Sequence, residues 1–221
     1  PLKAPKIRQE ENAARLLKED SIRAKYQSTF CDSVWVVNFA AEQKLDTARL
    51  WSVFWKTYGN WREIAAFINE AAGPSKEWAL YMLESVSEKD LRDAPTAVLK
   101  DHMDHSLKNV SPAAIKDRKF FAQYIMSGRI ANEMMLPWRG YLQGEFNSDF
   151  IAKLKTDINV LVSWIKSNIT LDNVTNMHSR APLSPRGVYE LRVADSRSRD
   201  IFFVAVCRSL GRAARINPAT G

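Results

Sequence analysis

The sequence predicts a mainly α protein: a helical N-terminal domain over residues 1–148, then the first part of an α+β core over residues 149–221. Three observations lead there. Apolar residues recur at i, i+3, i+4 spacing through most of the first 145 residues. Gly, Pro, Asn, Asp and Ser punctuate that pattern at short intervals, as connectors between packed helices do. Finally, a stretch rich in Asn, Thr, Asp and Ser at 168–180 leads to a last apolar helix, and residues 213–216 read as the start of a strand.

Taken in order, residues 9–26 form a polar helix whose stripe holds Ala13, Leu16, Leu17 and Ile22, peripheral because its other face is charged. Residues 34–43 place Val34, Val37 and Ala41 at helical spacing, although their Val content also suits a strand. Asp46 is positioned to cap a helix bearing Leu50, Val53, Phe54 and Tyr58, which Gly59 ends. Asn60 caps the next, with Ile64, Phe67 and Ile68 inward. Gly73-Pro74 breaks the pattern, and Ser75 caps a helix with Trp78, Met82 and Leu83 on one side. Ser87 and Asp90 resemble a capping box with Asp in place of the usual Glu or Gln. Residues 96–107 and 113–126 are helical by period, with no fixed-period repeat. The stretch 150–169 is the strongest helix, a continuous stripe of Ile151, Leu154, Ile158, Leu161, Val162 and Ile165. Pro182 and Pro185 bracket the next segment; Asp195 or Ser196 opens a final helix to Leu210, and Gly211 stops it.

Composition narrows the function classes. At 221 residues and 46% hydrophobic content the chain has ample material for a core. No apolar run nears the ~20 residues that span a bilayer, so no transmembrane segment is expected. The longest, residues 201–207, is bracketed by arginines. The net charge of +7 raises the question of nucleic acid. Yet the eight Arg of residues 179–221 are scattered among structural positions, and no zinc spacing, aromatic ribonucleoprotein signature or recognition helix accompanies them. Nucleic acid is therefore not the expected partner. Cys31 and Cys207 sit in apolar settings and read as small core residues, not a disulfide framework. The chain opens Pro1-Leu2-Lys3, without an initiator Met or a signal-peptide pattern, as a mature or trimmed chain would.

The final helix carries a resemblance. Ser196-Arg-Ser-Arg-Asp-Ile-Phe-Phe-Val-Ala-Val-Cys-Arg-Ser-Leu-Gly211, followed by Arg212-Ala-Ala-Arg-Ile216, is similar to the nucleophile helix of the transglutaminase-like superfamily, whose papain-like fold hosts thiol acyl transfer. The lead-in Leu161-Val-Ser-Trp-Ile-Lys-Ser-Asn-Ile169 looks like the Trp-containing helix that precedes the nucleophile in many members. The match is strongest over residues 150–221, and residues 1–150 resemble the helical extension of a bacterial subgroup. The resemblance implies peptide or protein substrates, no cofactor and no metal, and a secreted or cell-envelope setting. It also implies a core apparently truncated here and completed beyond Gly221.

In that family a nucleophile at the first turn of a buried helix sits at the positive end of the dipole, which favours a thiolate. A downstream His removes the proton, and an Asp or Asn orients it. This sequence departs twice. The nucleophile slot falls on Ser196, with Ala194 where Gly is usual, and no His follows it; the three are His102, His105 and His178. A serine hydroxyl needs a placed base, because a dipole alone does not ionise it. The expectation is thus a degenerate, non-catalytic member that binds peptide or protein segments. The alternatives are an active amide-bond hydrolase or acyl transferase completed beyond Gly221, and a purely helical protein-interaction domain. Arg197 and Arg199 flank the slot as a candidate basic rim for a carboxylate-bearing substrate. Pairing of Arg192 or Arg197 with Asp195 or Asp200 is the structural counter-reading.

Other constellations read as structural. Asp101-His-Met-Asp-His105 has the look of metal ligation, but no further ligand pair is evident, and solvated helix residues explain it. His178, in a loop, would reverse the family's chain order as a base for Ser196. Cys207 lies mid-helix in an apolar stripe, where thiols are inert. Of the Trp set (35, 51, 55, 61, 78, 138 and 164), most fall on apolar stripes; Pro137-Trp138-Arg139 sits in a break and is expected at the surface.

Overall fold

The computed structural model describes residues 6–108, 110, 115–175, 181–217 and 219. Thirteen α-helices, a 3-10 turn, a π turn and one pair of two-residue strands account for the regular structure among them. The described side chains of helix α1 (Lys6–Gln27) are exposed, and its last turn meets the body, where Tyr26 packs edge-on against Phe30 and under Gly59. Helix α2 (Ser33–Gln43) is capped by Asp32 and buries Val36, Phe39 and Ala40. The predicted stripe was the wrong one: Val34 and Val37 face solvent, because the neighbouring face offers Trp35 and Phe39 to the rings of Phe54 and Trp61.

Helix α3 (Thr47–Phe54) has the predicted Asp46 cap and turns in Leu50, Val53 and Phe54. It ends at Trp55 rather than Gly59, and the short 3-10 turn Tyr58–Asn60 places Tyr58, not the glycine, at positive φ. Helix α4 (Trp61–Glu70) and helix α5 (Ser75–Ser85) bury the expected residues, yet neither has its expected side-chain cap. Asn60 instead donates through Nδ2 to the carbonyls of Leu91 and Ala94, tying α4 to the end of helix α6 (Glu88–Asp93). Ser87 does cap α6, accepting from the amide of Asp90. Helix α7 (Thr96–Leu107) follows, and helix α8 (Arg118–Phe121) widens into a π turn over Ala122–Met126, closed by Ser127 N donating to the Ala122 carbonyl.

The second half holds helix α9 (Arg139–Glu145), helix α10 (Ser148–Thr156) and helix α11 (Asn159–Asn168). The single long helix expected over 150–169 is broken at Asp157, which is extended and accepts the amide of Asn159 on its own carboxylate. Strand β1 (Thr170–Leu171) pairs in parallel with strand β2 (Val193–Ala194). Between them helix α12 (Pro185–Leu191) has Ser184 as cap and Pro185 in its first turn. Helix α13 (Ser196–Ser209) closes the series, capped by Asp195 and ended at Gly211, whose φ is +81°.

Two apolar clusters organise these helices. One runs from Val36 to Met135, the other from Trp138 to Cys207, so α9 packs with the second half. Helix α13 is buried around almost its whole circumference, by Ile201, Phe202, Val204, Ala205, Val206 and Cys207. Its neighbours are α7, α9, α11, α12 and the π turn. The helical array thus covers the apolar faces of α13. After the turn at Gly211, residues 212–216 alternate in exposure but belong to no helix or strand; Ala214 N donates to the Tyr124 carbonyl.

Candidate functional site

The start of α13 is assembled by short-range hydrogen bonds. The carboxylate of Asp195 accepts the Ser198 amide (2.9 Å) and the Ser198 hydroxyl (2.6 Å), and Ser198 Oγ accepts the Leu183 amide (2.8 Å). The β1–β2 bridge, with Asp172 N donating to the Ala194 carbonyl, brings the following turn against the helix start. Asp172 then folds that turn by accepting from Val174 N, Thr175 N and Thr175 Oγ. The Thr175 hydroxyl and the two amides hold its carboxylate below the usual range. The turn presents Asn173, whose Oδ1 accepts both the Ser196 amide (2.8 Å) and the Ser196 hydroxyl (3.0 Å).

Ser196 is thus the first residue of a long helix, and its hydroxyl donates to a carboxamide oxygen, which is not a base. Arg199 pairs with Asp200 at 3.0 Å, and Arg197 is exposed. Arg192 stacks over the ring of Tyr189 at 3.9 Å and near Trp164. His178 lies outside the described residues. Cys207 is buried, and burial pushes its thiol up to about 11; the same cause raises Cys31 to about 11.

The motif Asp101–His105 has a different use. Asp101 caps α9, its carboxylate accepting Arg139 N (2.9 Å) and Gly140 N (3.1 Å). His102 is wholly buried, edge-on to Trp138, with Nε2 3.1 Å from the Leu136 carbonyl. Burial first, then the Arg139 and Arg208 cations, hold it well below its ordinary value, so it is neutral and Nε2 is the donor. The chain passes so close that a Cβ on Gly128 would fall 2.2 Å from the His102 ring. His105 sits over Gly140. Gln143 Nε2 donates to the carbonyls of His105 (2.8 Å) and Ser209 (2.7 Å), which fixes its amide and leaves Oε1 to accept from His105 Nδ1 (3.1 Å). Among the described residues no group of three or more His, Cys, Asp or Glu is arranged to hold a metal ion.

Trp138 and Arg139, expected at the surface, are the two largest fully buried side chains. Arg139 donates to the carbonyls of Arg208 (2.6 Å), Ile125 (2.6 Å) and Met126 (3.0 Å), while its Nε has no partner. Arg208 donates to the carbonyls of Ala214, Ser127 and Arg129. Burial, then the Arg208 cation, lowers Arg139 to about 9, against Asp101; burial lowers Arg208 to about 10, against Glu133 and Tyr124, so both stay charged at neutral pH. Arg129 and the buried Asp90 complete the hub as an ion pair. Its one trace in the sequence was Arg208, a charge inside the apolar run of α13. Trp51 on α3 and Trp55 just after it depart from the core assignment too: both are exposed.

Above this hub, at the opposite end of α13 from Ser196, lies a cleft of about 820 Å³. The 14 residues of α13 separate the two places by ~20 Å. The cleft is bounded by the last turns of α7 and α13, by Gln143 and by one face of α10. Smaller clefts lie beside Arg49 and Tyr81 and beside Tyr124 and Arg215. No helix among the described residues is long and apolar enough to cross a membrane. Comparison of the chain with family models, with curated proteins and with solved structures finds no match.

Proposed function

We propose that the segment from residue 150 onward is the nucleophile-helix portion of a transglutaminase-like core in a non-catalytic form, and that the protein binds peptide or protein segments without cleaving them. The observation that carries this reading is the Ser196 hydroxyl donating to Asn173 Oδ1, a neutral acceptor where acyl transfer requires a base. Three features support the kinship. The slot is the first residue of α13, behind an Asp cap. The ring of Trp164 on the lead-in helix α11 packs 6.1 Å from Phe202 of α13. After the Leu210-Gly211 turn the exposure alternates with period two, as it does along a strand. A second reading, a helical interaction domain of unrelated origin, is favoured by one observation: Ser196 lines none of the clefts described above.

The deciding experiment is alkylation of the Ser196→Cys variant by iodoacetamide as a function of pH. Cys31 and Cys207, both raised to about 11, stay silent near neutrality. A residue in the nucleophile slot gives an alkylation midpoint below the ~8.5 of a free thiol, by the dipole of α13. A midpoint at or above that value removes the kinship. Ser196-dependent labelling of the unaltered protein by a fluorophosphonate would instead overturn the non-catalytic assignment.

A further inference from the structure

We propose that the cleft at the C-terminal end of α13 binds the free carboxyl end of a short, extended, apolar peptide. The proposal rests on the peptide-binding reading above and gives it a place and a chemistry. Ser148, Ile151, Ala152 and Lys155 of α10 line the cleft at i, i+3, i+4 and i+7, so one whole face of that helix is turned to it while Leu154 goes to the core. From Ser148 to Thr156 this wall is ~12 Å long, the span of three to four extended residues. Val110 and Leu210 add apolar surface from other elements.

The polar groups of the floor are already used. Gln143 is committed to the His105 and Ser209 carbonyls, His105 to Gln143, and the Arg208 guanidinium to three backbone carbonyls. What remains is a mainly apolar trough in which Lys155 is the cation exposed to a ligand, Arg208 being turned to its carbonyls. Lys155 has no acidic partner among the described residues, and no Asp or Glu lines the cleft among them. A mainly apolar trough whose ionic groups are all cationic selects an apolar ligand carrying a negative charge. Because the wall matches a few extended residues and the cation stands towards one end of it, the carboxylate belongs at the peptide's terminus.

The test uses the full chain and two probes, dansyl-Ala-Leu-Leu with a free carboxylate and the same peptide as its C-terminal amide, followed by fluorescence anisotropy at low salt. The acid should bind about fivefold more tightly than the amide, the scale of a single exposed charge pair. Lys155→Met should bring the acid down to the affinity of the amide. Ala152→Trp, at an exposed position that leaves the fold intact, should fill the trough and abolish binding of both. Equal affinity of acid and amide for the unaltered protein overturns the carboxylate assignment. Binding that survives Ala152→Trp overturns the cleft while leaving the peptide-binding reading in place elsewhere on the surface. Absence of binding by either probe overturns the cleft assignment, and the alkylation profile at residue 196 then judges the kinship separately.

Discussion

A wholly buried neutral imidazole makes the protein sensitive to acid in a defined direction. His102 is held below its ordinary 6.5 by burial and by the adjacent Arg139 and Arg208 cations. Above pH 6.5 the ring is neutral in both folded and unfolded chains, and contributes no slope. Below it the unfolded chain takes up a proton that the folded chain refuses, so stability falls as pH falls, by about 1 kcal/mol between pH 6.5 and 5.5. Urea titrations at pH 7.5, 6.5 and 5.5 would show this limb, and His102→Gln should flatten it whatever its effect on absolute stability. An unchanged limb in the variant would assign the slope to other groups. This chemistry was only half legible in the sequence. The Asp101–His105 spacing advertised shared positioning, but a helix-face motif looks the same whether it faces solvent, a metal or a neighbouring helix. Trp138-Arg139 misled for a physical reason: a charge after a proline break reads as loop, unless backbone carbonyls elsewhere are known to need donors.

At the scale of elements, caps were legible where the capping side chain serves its own helix. Asp46, Ser87 and Asp195 each accept the expected amide. Asn60 does not, because its amide bridges to the end of α6, a contact that no local pattern contains. The break between α10 and α11 was hidden by a related effect. Leu154 and Leu161 both enter the second core, so the helical period continues across Asp157 although the helix does not. Asp195 offers the cleanest measurement at this scale, since it caps α13 and orients Ser198, which in turn holds Leu183. Asp195→Ala should cost about 1–2 kcal/mol in chemical denaturation, and Asp195→Asn, which retains an acceptor, well under half of that. Equal losses in the two variants would mean that the charge, not the cap, is what the site uses.

Across the whole molecule the decisive contact is the one that joins the two apolar clusters. The sequence reading divides the chain at 148/149. The two apolar clusters meet between Met135 and Trp138, where the chain leaves the loop stiffened by Arg129, Asp90 and Glu133. Arg139 begins α9 there and reaches both ways, donating to Ile125 and Met126 of the π turn and to Arg208 within α13. The π turn belongs to the first half and α13 to the second, so a single guanidinium satisfies carbonyls on each side of the junction. Removing it leaves those acceptors buried and unpaired, at about 1–3 kcal/mol each where water does not enter. Arg139→Met keeps the apolar stem and deletes the donors. The unaltered chain should show one cooperative transition, with the amides of α4 and of α13 exchanging at a common free energy in native-state hydrogen exchange. In the variant the two sets should separate, α13 opening first, because its C-terminal turn loses a fixed partner while the larger first cluster keeps its own. If both sets still exchange together after a loss of less than about 1 kcal/mol, the Arg208 and Gln143 donations across the junction and the apolar contact between α7, α9 and α13 hold the halves together, and Arg139 is a passenger in that interface.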